Sequence, residues 1–224
     1  MNSKSRVIVP EKTVGKYRSP VHLPIGSNRQ FGKEYMPADQ LRLLFSGRVI
    51  VEEKMDGKHT RCAKKPFVFF AEDMLKRKRV AYSLPGRYAI FDIFDLNDGL
   101  FLGPDDKMNL VTELANSRQH LLPPQFRQGR VFPVPYLASG IVSISDLNEL
   151  MKESAYAFYP ASGNRAPAEG IVVKPFMGML ADGHIAGKLL TRELLDIYTS
   201  PPKQRMKPLL NKITPGMDWK NTEF

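Results

Sequence analysis

The run Tyr88-Ala-Ile-Phe-Asp-Ile-Phe-Asp-Leu96 most limits what this chain of 224 residues can fold into. It is β-branched and aromatic, it is closed by Asn97-Asp98-Gly99, and it is expected to be a strand. A strand needs partners, and four more runs supply them. Arg48–Lys54 and Phe67–Glu72 precede it; Gly170–Pro175 and His184–Leu190 follow it. Asp105–Leu122 has Met108, Val111, Leu114 and Ala115 on one face and is expected to be a helix. A second helix is expected with Asp146 as N-cap and Glu149 as its reciprocal partner. Strands and helices alternate irregularly, and an α+β fold of mostly antiparallel sheets follows. One domain is expected over residues 1–198, entered through a basic, extended segment 1–36. Residues 199–224, rich in Pro, Lys and Arg, read as a loosely packed tail without a separate barrel domain.

Thirty-three basic residues against twenty-three acidic ones give a formal charge of +10. A surplus of that size favours a polyanionic partner. The single cysteine, Cys62, excludes an internal disulfide and a cysteine-rich zinc site. No secretory signal is visible and no apolar run reaches the roughly 18 residues of a membrane span, so the expectation is a soluble protein of the cytoplasm or another intracellular compartment.

Chemistry is suggested by charged residues placed at the ends of apolar runs. Lys54 closes one, and Asp56-Gly57 turns the chain just after it. A partly desolvated lysine near other cations can lose its proton and attack an electrophile, and a glycine beside it lets backbone approach a phosphate. Taken alone, Lys-x-Asp-Gly is most often a solvated surface turn. Glu72 adjoins a buried run, where a carboxylate is costly unless paired. Glu169 and Lys174 bracket Gly-Ile-Val-Val; five positions apart, they face opposite sides of a regular strand. Lys188 lies between Gly187 and Leu189 in the last run.

In that order these residues resemble the motifs of the covalent nucleotidyltransferases: ATP-dependent DNA ligases, RNA ligases and capping guanylyltransferases. Glu53-Lys54-Met55-Asp56-Gly57 looks like motif I, whose lysine carries the nucleotide. Phe70-Ala71-Glu72 looks like motif III, whose glutamate contacts the ribose. Tyr88–Asp95 looks like motif IIIa, which would stack Phe91 on the base. Glu169-Gly170-Ile171-Val172-Val173-Lys174 is close to motif IV, and Ala186-Gly187-Lys188-Leu189-Leu190 to motif V. The nearest match is the RNA-ligase-2-like group, through Ala71–Ile93 and through Lys16–Pro24. The resemblance covers roughly residues 16–195.

What the resemblance implies is an ATP-dependent RNA ligase that forms lysyl-AMP on Lys54 and seals a 5′-phosphate to a 3′-hydroxyl. Lys174 and Lys188 would hold the α-phosphate. Glu169 would hold Mg²⁺. Glu53, with the backbone of Val51–Glu53, would face the adenine. Nucleic acid would be the partner, RNA ends before DNA nicks, with the clusters Lys12–Arg18, Lys76–Arg79 and Lys203–Lys212 tracking its backbone. Tyr17, Tyr82 and Trp219 are candidates for stacking on bases. The alternatives are a DNA ligase, a capping enzyme, or a binding module that has lost catalysis. The chain also departs from the pattern. The stretch from Lys54 to Glu72 is short for the strand and arginine that usually follow motif I; His59 stands at one such place, and Arg61, Lys64 or Lys65 are substitutes. Motif V has Ala186 where a second basic residue is usual. The accessory domain is reduced to the tail after Tyr198, so a protein partner would supply it.

Overall fold

The computed structural model describes residues 17, 19–25, 33–176, 185–191 and 209–214. Two sheets of five strands organise them. The first runs in the order β1 (Val21–His22), β11 (Gly187–Leu190), β10 (Gly170–Pro175), β2 (Val49–Glu53) and β9 (Tyr136–Gly140). Its pairs are antiparallel except β1 with β11. The second runs β3 (Lys58–Lys64), β4 (Phe67–Asp73), β6 (Tyr88–Asp95) and β7 (Leu100–Phe101), with β8 (Val131–Pro133) parallel to β6. The fold is α+β with predominantly antiparallel pairing, as the apolar runs implied.

Alternation along the first sheet divides its two faces. Val49, Val51, Ile171, Val173 and Leu189 meet Leu44 of α1 (Ala38–Phe45) and Leu147 of α4 (Ile144–Leu150) in one core. Glu52, Val172, Lys174 and Lys188 therefore face the other way, toward the second sheet. That sheet builds the larger core. Phe69, Ala71, Ile90 and Ile93 pack with Val111 and Leu114 of α2 (Pro104–Asn116) and with Phe126 of α3 (Pro124–Arg127). Among the described residues no helix is long and apolar enough to cross a membrane.

Four elements differ from the sequence expectation. α2 stops at Asn116, and a short 3-10 turn, Gln119–Leu121, replaces its last stretch. Asn116-Ser117 favours caps over helix interior, and Pro123 keeps Leu122 extended. α4 is capped by Ser143; its Oγ accepts from the Asp146 N–H, and Asp146 accepts in turn from the Ser143 N–H at 2.8 Å. The short stretch after Lys54 does hold a strand, the seven residues of β3, which turns directly at Lys65-Pro66 into β4. Part of the expected tail is built into the body. β12 (Lys212–Ile213) lies parallel to β5 (Ser83–Leu84), and buried Asn211 donates to the Met74 carbonyl at 2.7 Å and accepts from the Tyr82 N–H at 3.1 Å. The Asp182-Gly183 turn, His184, the helical pattern after Thr191, Lys12–Lys16, Arg18, Lys203–Lys207 and Trp219 lie outside the described residues.

Candidate active site

A cleft opens between the two sheets. Among the residues that line it are Glu52, Glu53, Lys54, Met55, His59, Glu72, Phe91, Val172, Lys174 and Lys188, with Tyr17. Lys54 enters it from the end of β2, where its N–H donates to the Gly170 carbonyl at 2.9 Å. That bond ties it to the start of β10. Its Nζ donates to Glu169 Oε2 at 2.7 Å; the lysine side chain is 27% exposed and the glutamate fully buried. The amine is thus held at a defined point and still reachable from solvent.

The loop after Lys54 can take this path because residue 57 is glycine. A Cβ there would lie 2.6 Å from Met74 Sδ and 2.7 Å from Glu72 Cβ, closer than real atoms approach. Asp56 is buried and binds the loop from below. Its carboxylate accepts from the Arg79 N–H at 3.0 Å, and its own N–H donates to the Tyr82 hydroxyl at 3.2 Å. Asp56 and Gly57 therefore position Lys54. The Lys76–Arg79 cluster is joined to the same loop, with Lys78 Nζ 3.9 Å from Asp56.

Glu72 comes from β4, opposite His59 of β3. Its Oε2 is buried and has no hydrogen-bond partner among the described residues. Burial pushes its carboxyl up to about 7, against the lowering influence of Lys78 and Lys54. A native carboxylate oxygen left in this state marks either strain or a place for a ligand donor. Lys188 lies on the cleft face of β11, half-buried, its ammonium pushed down by that burial and by Lys54 and Lys33.

The other end of the cleft is aromatic below and fully paired beneath. Phe91 and Val172 stand there, with Tyr17 edge-on to Phe91 at 5.0 Å between centroids and His59 at 5.4 Å from the same ring. Under them Lys174 Nζ donates to Glu52 at 2.8 Å, to Asp92 at 2.9 Å and to the Phe91 carbonyl at 3.0 Å. Lys107 of α2 donates to the other Glu52 oxygen and to the same carbonyl. The Tyr17 hydroxyl donates to Asp92 at 2.5 Å.

The sequence candidates fall into three groups. Lys54, Glu72, Phe91, Glu169 and Lys188 are brought together at or beside the cleft. Lys174 borders it, but its ammonium is spent on Glu52 and Asp92. Glu53 is paired with Ile171, so its side chain shares the core face; its carboxylate accepts from Ser154 Oγ at 2.5 Å and the Ala155 N–H at 3.0 Å. Glu52, one residue earlier, is the glutamate whose carboxylate lies on the cleft face. The Glu169 carboxylate meets Lys54, and among the described residues no group of three or more His, Cys, Asp or Glu could hold a metal ion unaided. Tyr82 is a fully buried core residue, whereas Tyr17 is at the site. Of the candidates to follow motif I, His59 reaches the cleft; Arg61 stacks over Phe70 at 5.9 Å instead. Lys107 and Glu52 escaped the sequence reading. Lys107 carried a signal, since it falls four residues before Val111 on the apolar face of α2.

No family model and no curated protein matches the sequence. The structure is similar to solved structures of an RNA ligase from Naegleria gruberi. A mutant with ATP and Mn is 13% identical, covers 72% of this chain and 55% of its own, and gives a TM-score of 0.45. The ligase with PPi is 13% identical over 82% of this chain and 62% of that one, with a TM-score of 0.45. A mutant with AMP and Mn gives 14%, 71%, 54% and 0.44 in the same order. The match takes in about half the length of the first of these. The chemistry must be read from the cleft itself.

Proposed function

We propose that this chain is an ATP-dependent RNA ligase that works through a lysyl-AMP intermediate on Lys54. One observation carries the reading: a reachable amine, held at 2.7 Å by a buried carboxylate, stands between an apolar slot and a half-buried cation in the same cleft. The slot between Phe91 and Val172 suits a base. The unpartnered Glu72 oxygen suits a ribose hydroxyl. Lys188 suits the α-phosphate. The cleft thus offers one partner for each part of a nucleotide.

In the first step the Lys54 lone pair attacks the α-phosphorus of ATP. The Nζ–P bond forms as the bond to pyrophosphate breaks, and Glu169 is placed to take the proton the amine must shed. AMP then passes to the 5′-phosphate of a strand, and a 3′-hydroxyl attacks that phosphorus as AMP leaves. All three steps are phosphoryl transfers, for which position and charge stabilisation dominate. A divalent cation, Mg²⁺ on the sequence reading, supplies charge neutralisation at the phosphates. It would be held through the triphosphate, with Glu169 and Glu72 as bordering carboxylates. A nucleic-acid strand as acceptor is supported by the charge of +10 and by the exposed residues Lys76, Lys78 and Arg79 beside the Lys54 loop; RNA before DNA follows the motif resemblance. An accessory protein partner belongs to the same proposal.

The test is incubation with α-labelled ATP or GTP and Mg²⁺, followed by denaturing electrophoresis. Label from ATP on the wild type and none on Lys54→Ala is expected. Label from GTP alone would replace the reading with capping chemistry, and no label from either with a binding module. Sealing assays on nicked RNA, nicked DNA and single strands then identify the acceptor.

A further inference from the structure

His22 lies in the Lys16–Pro24 segment and is given no role by the motifs, yet it continues a line of residues that crosses the first sheet. In-register partners on neighbouring strands share a face. Glu52 pairs with Val172, Val172 with Lys188, and Lys188 with His22. Neighbouring strands are about 4.8 Å apart. The row therefore runs from the closed charge network, under the base slot, past the phosphate cation, and one strand further to His22 at the sheet edge. Val21 and Leu23 pack on the opposite face, which fixes the direction in which His22 points.

The backbone of His22 is held in place. Its backbone N–H donates to the Glu34 carbonyl at 3.3 Å, its carbonyl accepts from the Met36 N–H at 2.8 Å, and its ring lies 5.9 Å from that of Tyr35. Burial, and after it the charges of Lys188, Lys33 and Lys54, push the imidazole down to about 4. Lys54 and Lys188 also face Glu169. With Lys33, which faces His22 and Lys188, the ammoniums outnumber that carboxylate and leave a positive surplus. A neutral imidazole adds one N–H donor and one site that can be protonated when an anion arrives.

Resting on the reading of Lys54 as nucleotide acceptor, we propose that His22, Lys188 and Lys33 form a second phosphate subsite, one strand beyond the α-phosphate position. Its ligand is a phosphate group of two or more negative charges. Two sources share that chemistry: the pyrophosphate portion of ATP, and the 5′-phosphate of the accepting strand.

The experiment follows the His22 imidazole by NMR in the full chain, its signal assigned with His22→Gln. Inorganic pyrophosphate, a 5′-phosphorylated oligoribonucleotide and its 5′-hydroxyl counterpart are added in turn. The His22 titration should climb from about 4 toward the ordinary histidine value with pyrophosphate, with the phosphorylated strand, or with both, and stay put with the hydroxyl strand. The arm that moves it identifies the source. His22→Ala should weaken binding of that ligand about tenfold, the loss of one hydrogen bond to a charged group, and His22→Asn should recover part of it. A His22 signal unmoved by millimolar amounts of both phosphates overturns the subsite, and so does an equal response to the hydroxyl strand. Labelling of Lys54 is scored separately. Labelling with an unmoved His22 sinks the subsite alone, and a responsive His22 without labelling sinks only the adenylation chemistry.

Discussion

Beneath the base slot, Glu52, Asp92, Lys107 and Lys174 set two carboxylates against two ammoniums, and the hydrogen bonds among them close the set. At the other end of the same cleft, Lys54, Lys188, Glu72 and Glu169 hold the same balance of signs and are arranged otherwise. One lysine is 27% exposed, one is half-buried, and one carboxylate oxygen has no partner among the described residues. Composition does not separate these regions; satisfaction does. A buried charge costs several kcal/mol unless its bonds are made, so the closed set is stable only as it stands. The open set leaves one Glu72 oxygen without a donor among the described residues and Lys188 half-buried beside Lys54, and on the reading proposed above a nucleotide supplies a hydroxyl to the first and a phosphate to the second. The first region shapes the slot, and the second is where the proposed chemistry would run.

The sharpest break in that comparison comes from removing one member of the closed set. Lys174→Met should cost about 3–5 kcal/mol, because Glu52 and Asp92 remain buried with one ammonium between them. Urea denaturation measures it. Lys174→Met with Glu52→Gln restores the balance of charge, leaving Lys107 with Asp92, and should recover part of the loss. If the single variant is as stable as the wild type, the closed set is no scaffold. Should Lys174 act on the phosphate instead, the variant would fold normally and fail to label.

Glu72→Gln should behave in the opposite way. The fold loses no bond to the unpartnered oxygen, so stability at pH 8 should hold or rise. AMP transfer to Lys54 should fall by about 1.5–3 kcal/mol, the worth of a hydrogen bond to a charged group. Labelling kinetics at saturating and limiting ATP give the number. Unchanged labelling would remove Glu72 from the nucleotide.

The same residue sharpens the comparison through pH. Burial raises Glu72 and Glu53 to about 7 from an ordinary 4.5. A carboxyl raised in the fold contributes stability that is complete below about 4.5 and lost as pH climbs through about 7. His22, pushed down to about 4, acts in the other sense below its ordinary 6.5. The difference between wild type and Glu72→Gln therefore isolates the carboxyl. The variant should gain on the wild type from pH 5 to 7 and run parallel above. Parallel curves throughout would show that Glu72 is as solvated in the fold as out of it.

Much of this was legible in the chain. Strands β4, β6 and β10 declared themselves as short apolar runs, and the α+β class followed. Lys54, Glu72, Glu169 and Lys188 were named from motif order, and the fold brings them together. What failed was parity. Val-Ile-Val-Glu-Glu is apolar on both faces, so nothing local says whether Glu52 or Glu53 faces the cleft; pairing with β10 decides it. β3 was missed because Lys58–Lys64 is largely exposed and carries little apolar signal. Lys107 was passed over because a lysine on an apolar helix face makes sense only once Glu52 is known to wait opposite. His22 gains meaning only from a parallel pairing with β11, a contact 166 positions away in sequence.

The smallest effect lies at the rim. Lys78 is 46% exposed and stands 3.9 Å from Asp56. An ion pair of that kind is worth about 0–1 kcal/mol, so Lys78→Ala should barely move stability. It faces the open cluster, though, and helps to hold Glu72 down. Its removal should raise the Glu72 carboxyl further and leave labelling of Lys54 in place. If the Lys76–Arg79 cluster carries a strand toward that lysine, the variant should bind single-stranded RNA more weakly whatever its sequence. The slope of log affinity against log salt should then shrink by about one. Titration of a labelled oligonucleotide at several salt concentrations reads both quantities. An unchanged slope would confine the open region to the nucleotide and move the path of the strand elsewhere on the molecule.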